Sequence, residues 1–387
     1  MHHVLVLEPF GGGSHRSLYE GWKAHSRHRF SILELPAVHW KWRSRHSSLT
    51  LACDARRLIQ GGEKFDVVFC SDMLNLPEWK GLAGVELSSL PCVVYFHENQ
   101  FTYPLSPGEI RDYHFAYSNL LTWVCADAAW FNSEYHLQDF DQAARKWLRR
   151  MPDFPHLAEL DEAQLRTRVL TPGISPPVFQ KPQEEAGFHV GGQVPGHHKD
   201  QTTTIGWVSR WEHDKRPDLF CRAVRELLRQ DQNVELILLG QQYSRKPQEM
   251  EELISDYGDQ IRHDGHVADR QQYWNLLSAM DLVVSTADHE FFGVGVLEAV
   301  WAGATPLLPR TLAYPEVFDL ENRCERKPWF YSGELNVTHL QDAVERIRCQ
   351  NGKLAQCVDR SDLQKYCWSE LAEAYDDELD LVISRRA

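Results

Sequence analysis

Eleven short apolar runs, spaced regularly along 387 residues, constrain the fold more than any other feature of this sequence. The runs are rich in Val, Ile, Leu and Phe and do not alternate between apolar and polar residues. Such runs are typical of parallel strands that crossover helices bury on both faces. Six runs lie in the first half, at residues 4–10, 30–35, 66–70, 92–96, 128–132 and 168–171, and five in the second, at 204–209, 234–240, 261–267, 281–286 and 305–309.

The two groups of strands predict an α/β protein with two doubly wound, Rossmann-like domains, and the chain length is sufficient for two cores. The predicted domains are residues 1–180 and 204–361. A linker rich in Pro, Gly, His, Gln and Glu joins them at 181–203, and a helix follows at 362–387. Two open sheets joined in this way leave a cleft, and ligands bind outside the carboxyl ends of the strands.

The net charge of −14 argues against a protein that coats nucleic acid non-specifically, but local basic patches still attract phosphates. Two such patches occur, at residues 39–46 and 145–150. The nine cysteines form no CxxC pair, which favours reduced thiols in a cytoplasmic protein. The first strand leaves no room for a signal peptide, and no apolar run reaches the ~18 residues of a bilayer span, so we expect no membrane partner.

Two cations follow the strand predicted at residues 204–209. Arg210 and Lys215 precede Pro217, a residue suited to the first turn of a helix, so both lie on the loop after the strand. There they could neutralise a diphosphate, with Arg210 able to bond in bidentate fashion. Taken alone, the pair slightly favours a solvated basic loop over a phosphate site.

A glycine-containing loop follows the strand predicted at residues 281–286. Gly293 and Gly295 let the backbone approach a ligand closely, and a helix beginning near Val294 would direct its free amides at a phosphate. Glu290 and Glu298 flank this turn. Two carboxylates at that separation can accept hydrogen bonds from hydroxyl groups at opposite ends of one ligand.

The segment from Glu290 to Glu298 resembles the E-x7-E signature of retaining glycosyltransferases of the GT-B fold, family four. The resemblance implies that Glu290, as a catalytic residue, contacts the hydroxyls of a donor sugar. It also implies that Glu298 contacts the ribose of the donor nucleotide.

The same resemblance implies that Arg210 and Lys215 bind the diphosphate and that the backbone at Gly293 and Val294 completes the phosphate site. These groups would stabilise the charge on the departing diphosphate. Same-face attack by the acceptor is likewise implied by the resemblance. Because cations and a helix end already supply positive charge, we expect no metal ion and no other cofactor.

A glycine-rich turn follows the first predicted strand and opens a helix. Such a turn suits a phosphate or another closely approaching ligand, although the spacing is not that of GxGxxG. We therefore predict that Gly12 and Gly13 contact the donor. His15, next in this turn, is compatible with acceptor binding or with a structural role.

Four polar residues, His97 to Gln100, follow the strand predicted at residues 92–96. This architecture places its site at such a strand end. We predict His97 as a catalytic residue, with Glu98 and Asn99 binding the acceptor. The alternative is a loop whose polar groups satisfy one another.

Stretches at residues 8–15, 39–43, 72–76 and 95–100 together resemble the tRNA-queuosine mannosyltransferases across nearly the whole first domain. The resemblance implies transfer of mannose from GDP-mannose to the cyclopentenediol of queuosine in the anticodon of an aspartate tRNA. Three alternatives stay open: a GT-B glycosyltransferase with a glycan or lipid acceptor, a sugar-nucleotide epimerase, and a nucleotide-sugar-binding module.

Residues 39–46, hereafter the basic segment, interleave two tryptophans with Lys41, Arg43 and Arg45 in a predicted loop after the second strand. Such a mixture suits an unstacked anticodon, with phosphates on the cations and a base on an indole face. In the alternative interpretation, Trp40 and Trp42 pack against the domain and the charges are only solvated.

Overall fold

The computed structural model describes residues 1–106, 108–177, 202–242, 246–349 and 360–386. The chain forms two compact units: unit 1 comprises Met1–Ile174 and Lys365–Ala387, and unit 2 comprises Ser175–Gln364. The predicted linker lies outside the described residues, except for its last two. Each unit has a six-stranded parallel sheet, so the predicted α/β class with two doubly wound sheets is confirmed.

Unit 1 has the strand order β2-β1-β3-β4-β5-β6. Its strands are β1 (His3–Gly11), β2 (Arg29–Pro36), β3 (Val67–Ser71), β4 (Cys92–Phe96), β5 (Ala128–Phe131) and β6 (Thr167–Val169). Its first seven helices are α1 (Gly13–His25), α2 (Trp40–Gln60), α3 (Leu76–Ala83), α4 (Val85–Ser88), α5 (Tyr113–Cys125), α6 (Glu134–Leu148) and α7 (Leu157–Leu165).

Burial explains why these strands were visible in the sequence. Every residue of β3 and β4 is buried because helices cover both faces of the sheet, so the runs are apolar throughout. The edge strand β2 has a mixed pattern of exposed and half-buried residues.

Unit 2 has the strand order β12-β11-β10-β7-β8-β9. Its strands are β7 (Thr203–Val208), β8 (Val234–Leu239), β9 (Ile261–Gly265), β10 (Leu282–Val284), β11 (Thr305–Pro309) and β12 (Phe330–Tyr331). Its helices are α8 (Pro217–Gln230), α9 (Gln248–Tyr257), α10 (Arg270–Ser278), α11 (Val294–Ala302), α12 (Tyr314–Val317), α13 (Val337–Cys349) and α14 (Arg360–Gln364). The two-residue β12 is too short to leave a run in the sequence.

Each sheet reverses its winding direction at one place. In unit 1 the chain passes from β1 to β2 on one side and then returns to β3 on the other side of β1. In unit 2 the corresponding pair is β7 and β10. Such reversals open a crevice at the carboxyl ends of the strands, so the loops after β1, β3, β7 and β10 are the expected places for ligands.

A final helix, α15 (Trp368–Ser384), packs against α1 and completes unit 1. The indole of Trp22 donates a hydrogen bond of 2.7 Å to Asp376. The indole of Trp368 lies over Gly21 and Gly173, where an added Cβ would come within 2.1 and 2.6 Å of it. The one helix predicted at 362–387 is therefore two helices, α14 and α15, with a break at residues 365–367.

The basic segment is not a loop, contrary to the prediction. Its residues from Trp40 onward form the first two turns of α2, which begins after His39 in a left-handed conformation with φ of 54°. The long polar stretch that follows includes Ala, Arg and Leu, which favour a helix. Within the described residues, no helix is both long and apolar enough to cross a membrane.

Candidate active site

Lys215 is the buried centre of a charged cluster at the carboxyl end of β7. A single turn of 3-10 helix, His213–Lys215, follows the loop after the strand and directs the side chain inward. Its Nζ atom donates hydrogen bonds to the backbone oxygen of His289 at 2.6 Å and to Glu290 at 3.2 Å. The carboxylate of Asp214 lies 3.1 Å away. The structure therefore brings the predicted Lys215 and Glu290 together.

Asp214 also belongs to this cluster, although no role was predicted for it from the sequence. Its side chain has no exposed surface and lies 3.8 Å from Arg210 as well as next to Lys215. Burial raises the pKa of Asp214, but the charges of Lys215 and Arg210 outweigh burial, and the net pKa is lowered. The sequence did contain a signal for this role, because Asp214 lies between Arg210 and Lys215 in the loop that follows a strand.

Glu290 has the partly exposed carboxylate of the cluster, with 23% of its side chain accessible. Burial acts to raise its pKa, but the charge of Lys215, the hydrogen bond from Lys215 and the charge of Arg210 together lower it by more. Glu290 is therefore an anion at neutral pH, and both of its oxygens can accept hydrogen bonds from hydroxyl groups. Two cations and two carboxylates balance one another in this cluster.

The helix α11 begins directly after this loop. Gly293 precedes it with φ of 90°, and none of the described side chains caps the helix. A Cβ at Gly293 would lie 2.7 Å from the ring of Tyr314, so the turn requires glycine. The first backbone amides of α11, at Val294 and Gly295, have no acceptor within the helix and are suited to a phosphate.

Glu298 lies within α11, where 7% of its side chain is exposed. Its carboxylate pairs with Arg270 and accepts a hydrogen bond of 2.7 Å from the hydroxyl of Tyr273. Burial, followed by the charge of Glu298, raises the pKa of Tyr273 well above its usual value, so the hydroxyl stays protonated. These two partners hold the carboxylate that was predicted to contact ribose.

In unit 1, an acid at the end of β1 organises the turn into α1. The Glu8 carboxylate accepts hydrogen bonds from the Phe10 backbone at 2.8 Å and from the Ser71 hydroxyl at 3.0 Å. Its other oxygen lies 3.1 Å from His15 Nδ1, as an ion pair rather than an aligned hydrogen bond. Burial alone would lower the pKa of His15, but Glu8 raises it to about 9. Glu8, a lone acid in an apolar run, was missed.

The predicted His97 stacks on His15. Their ring centroids are 3.9 Å apart and the rings are inclined by 24°. Burial lowers the pKa of His97 well below its usual value, and the charged His15 lowers it further. The pair therefore combines a protonated imidazole with a neutral one, and the neutral ring of His97 can both donate and accept a hydrogen bond.

Asp72 follows β3 and links the neighbouring strand ends. Its carboxylate accepts a hydrogen bond of 2.9 Å from the backbone of His97. Burial raises the pKa of Asp72 to about 7, although the charge of His15 opposes the rise. Asp72 occurs in one of the stretches that carry the family resemblance, but no role had been predicted for it.

The other predicted residues of unit 1 differ in how accessible they are. Asn99 is fully buried. Its side-chain amide donates a hydrogen bond to Asp139 and accepts one from the Thr102 hydroxyl, so it stabilises the loop that follows β4. Glu98, which precedes it, is half-buried. In the glycine turn, Gly13 has φ of 52°, and a Cβ at Gly12 would come within 2.6 Å of the side chain of Ala37.

Lys41 and Arg45 of the basic segment are exposed and paired with carboxylates, whereas Arg43 is half-buried. Lys41 lies 3.2 Å from Glu109, and Arg45 lies 3.1 Å from Asp112. Arg43 donates a hydrogen bond to a backbone oxygen of β2 at 3.1 Å. Exposed pairs of this kind contribute about 0–1 kcal/mol, so a phosphate can displace the carboxylates at little cost.

Glu8, His15 and His97 also form a cluster with metal-ligand chemistry, since one ligand atom of each lies within 4.8 Å of the others. The stacked rings of the two histidines direct their in-plane lone pairs along nearly parallel planes. A metal requires lone pairs that converge on one point, so these two rings would have to move to bind one.

Known proteins share this architecture. Residues 194–360 match the family described as glycosyl transferases group 1. HepE of Anabaena, solved with UDP, has a TM-score of 0.64 at 15% identity, covering 98% of this chain and 100% of that one. Sucrose-phosphate synthase of Thermosynechococcus elongatus has a TM-score of 0.67 at 12% identity, covering 99% of both chains. Fold and site together define a glycosyltransferase of the GT-B fold.

Unit 1 identifies the family. Residues 3–174 match the family described as tRNA-queuosine alpha-mannosyltransferase N-terminal. The tRNA-queuosine alpha-mannosyltransferase of Drosophila melanogaster is 34% identical over 321 residues, which cover 83% of this chain and 82% of that relative. The chain belongs to the tRNA-queuosine alpha-mannosyltransferase family.

Proposed function

We propose that this enzyme transfers mannose from GDP-mannose, with retention of configuration, to queuosine in the anticodon of an aspartate tRNA. The observation that carries the proposal is that the family's N-terminal half and the bonded pair Lys215–Glu290 occur on one chain. The N-terminal family match indicates the acceptor. The Lys215–Glu290 pair indicates a donor in which a phosphate and a sugar are adjacent.

The cluster after β7 and β10 supports a nucleoside diphosphate sugar as the donor. The cation of Lys215 and the carboxylate of Glu290 are 3.2 Å apart, so a phosphate and the hydroxyls of the attached sugar would meet adjacent groups. Because the local side-chain charges already balance, the amides of α11 would provide much of the compensation for the diphosphate. Arg210, whose side chain is 35% exposed, would add a bidentate contact.

In the proposed reaction, the acceptor hydroxyl attacks the anomeric carbon on the face from which the diphosphate leaves. The new bond joins that carbon to the acceptor oxygen, the bond to the phosphate oxygen breaks, and the departing phosphate takes the hydroxyl proton. Lys215, Arg210 and the helix amides stabilise the charge that develops on the phosphate. The neutral ring of His97 is suited to orient a sugar hydroxyl.

The proposed donor site works without a metal ion or another cofactor. In place of a divalent cation, the amides of α11 would compensate most of the diphosphate charge, and Arg210 and Lys215 would donate hydrogen bonds to it. The basic segment and its exposed indoles provide the tRNA contact. We place the reaction in the cytoplasm.

The test compares an aspartate tRNA that carries queuosine with the same tRNA carrying guanosine. Each is incubated with the enzyme and GDP-mannose, and the tRNA nucleosides are then analysed by mass. A hexose gain on queuosine alone is expected. Equal transfer to both tRNAs, or transfer to neither while GDP-mannose binds, would refute the queuosine acceptor. Release of an altered sugar nucleotide without tRNA would instead indicate an epimerase.

A further inference from the structure

The second basic patch of the sequence, residues 145–150, has no part in the site described above. It forms the last turn of α6 and the two residues after that helix. Arg145 is held by Asp141 and Asp161, each at 2.8 Å. Within the described residues, three other cations of the patch are exposed and form no ion pair: Lys146, Arg149 and Arg150. We call these three the α6 cations, and on a chain with a net charge of −14 they form a local positive surface.

Three aromatic rings, hereafter the aromatic row, lie beside these cations. Trp147 of α6 stacks against Tyr113 of α5, with ring centroids 5.7 Å apart and the rings inclined by 23°. Tyr117, one turn further along α5, contacts the same indole at 5.7 Å between centroids. The two tyrosines are each 40% exposed, whereas Phe101 supports the indole from the buried core. The aromatic row therefore presents rings to solvent that are fixed in position by the fold.

The aromatic row is continuous with the basic segment through α5. Phe115, on the same helix as the two tyrosines, contacts the ring of Trp40 at 5.1 Å between centroids and lies 4.9 Å from the guanidinium of Arg45. Asp112, the residue that caps the start of α5, pairs with Arg45 at 3.1 Å. The first half of α5 therefore lies between the basic segment and the end of α6, and all three belong to unit 1.

We propose that the aromatic row and the α6 cations bind single-stranded nucleotides next to the acceptor nucleoside, with bases on the rings and phosphates on the cations. This inference rests on the proposed function, in which the acceptor is a tRNA. Rings next to unpaired cations fit single-stranded RNA, because every base has a face for stacking and every nucleotide brings a phosphate. The dipole of α6 favours cations at its end, but it does not account for the exposed rings beside them.

Two variants remove the two kinds of contact separately. Tyr117→Ala removes one ring of the aromatic row, and its control, Tyr117→Phe, keeps the ring. A triple variant removes the charges of the α6 cations: Lys146→Gln, Arg149→Gln and Arg150→Gln. Its matched control removes three exposed cations whose carboxylate partners lie outside α5 and α6: Lys23→Gln, Arg29→Gln and Arg57→Gln.

For each protein, the Kd for queuosine-containing tRNA and for the guanosine form is measured at several salt concentrations. Steady-state transfer kinetics, the Kd for GDP-mannose and thermal unfolding are recorded on the same samples. The last two measurements show whether both units are folded.

We expect Tyr117→Ala to weaken binding of both tRNA forms by about five- to a hundredfold, the range for the loss of one stacked base, and Tyr117→Phe to bind as the wild type does. The triple variant of the α6 cations should lower the salt slope of log K by about 2, because each lost phosphate contact accounts for about 0.7. Both changes should raise the KM for tRNA, while kcat and GDP-mannose binding hold. The control triple variant should keep the wild-type affinity and slope.

The outcomes separate the two proposals. If the wild type transfers mannose to queuosine-containing tRNA and both variants bind that tRNA as the wild type does, the surface is refuted and the proposed function stands. Equal weakening by the control triple variant also refutes the surface, because the effect is then one of net charge. If the wild type neither binds tRNA nor transfers mannose to it, both proposals are refuted. If Tyr117→Ala does not fold, an unchanged affinity and salt slope in the triple variant of the α6 cations is sufficient to refute the surface.

Discussion

Replacing Glu8 by Gln should move the titration of His15 and change how stability depends on pH. In the wild type, the Glu8–His15 ion pair outweighs burial and holds the pKa of His15 at about 9, against an ordinary value of 6.5. Each factor of ten in proton affinity corresponds to about 1.4 kcal/mol, so the net shift, which also includes burial and the charges of Asp72 and Glu98, corresponds to roughly 3 kcal/mol. Gln retains an oxygen for the Ser71 hydroxyl and the Phe10 amide, so the change removes mainly the charge.

The sign of the pH dependence follows from the direction of the pKa change. His15 binds its proton more tightly in the folded state, so its stabilisation is complete below pH 6.5 and is lost as the pH rises through about 9. The Glu8→Gln variant should therefore be less stable than the wild type by roughly 3 kcal/mol near pH 6, since burial then leaves His15 neutral. The difference should shrink above pH ~9.

The assay combines two measurements on the full-length protein. NMR of ¹³C-labelled histidines follows the titration of His15, assigned with a His15→Gln variant, and thermal unfolding is recorded from pH 6 to 10. The control is Glu34→Gln, which removes a carboxylate from β2 that pairs with Arg16 and Tyr19. It should leave the titration of His15 unchanged. An ordinary pKa for His15 in the wild type, or an unmoved one in Glu8→Gln, would refute the argument.

Three further predictions concern the donor, the metal and the tRNA. Lys215→Ala should destabilise unit 2 by about 3–5 kcal/mol in urea unfolding, because Asp214 and Glu290 lose their buried counter-charge. Arg210→Ala should instead weaken GDP-mannose binding about ten- to a hundredfold in titrations with little loss of stability, and the reverse ranking would contradict the cluster. Activity should survive EDTA in transfer assays; a complete loss that Mg²⁺ or Mn²⁺ restores would contradict the metal-free site. Reversing the arginines of the basic segment to Glu should weaken tRNA binding and reduce its salt dependence while GDP-mannose binding holds, and unchanged tRNA affinity would exclude this surface.

The strands could be predicted from the sequence because burial on both faces leaves continuous apolar runs, as in β3 and β4. The start of α2 could not. His39 adopts a left-handed conformation there, and the basic segment has the polar, aromatic composition of a loop although it is helical. The polar and aromatic composition of the basic segment reflects its exposure to solvent. Its helical conformation depends instead on how α2 packs in the fold.

The proposed donor residues lie in two short motifs, Arg210 to Lys215 and Glu290 to Glu298, which a family resemblance makes visible in the sequence. The charges that hold them could not be predicted, since Asp214 and Glu8 act through partners that only the fold brings near. The stacking of His15 on His97 could not be predicted for the same reason. The two residues are 82 positions apart in the sequence, and their ring centroids lie 3.9 Å apart. A pattern within one segment contains no information about such a contact.

The packing of α15 on α1 has a consequence for the order of folding during synthesis. The ribosome makes all of unit 2 between the two pieces of unit 1. At roughly 5–20 residues per second, the nascent first piece waits about 10–40 s for the helix that covers it. During that time Trp22 lacks the Asp376 carboxylate and Tyr375 ring that it meets in the finished protein. The domain that begins first is therefore completed last, and its aromatic surface at Trp22 stays uncovered until the end of synthesis.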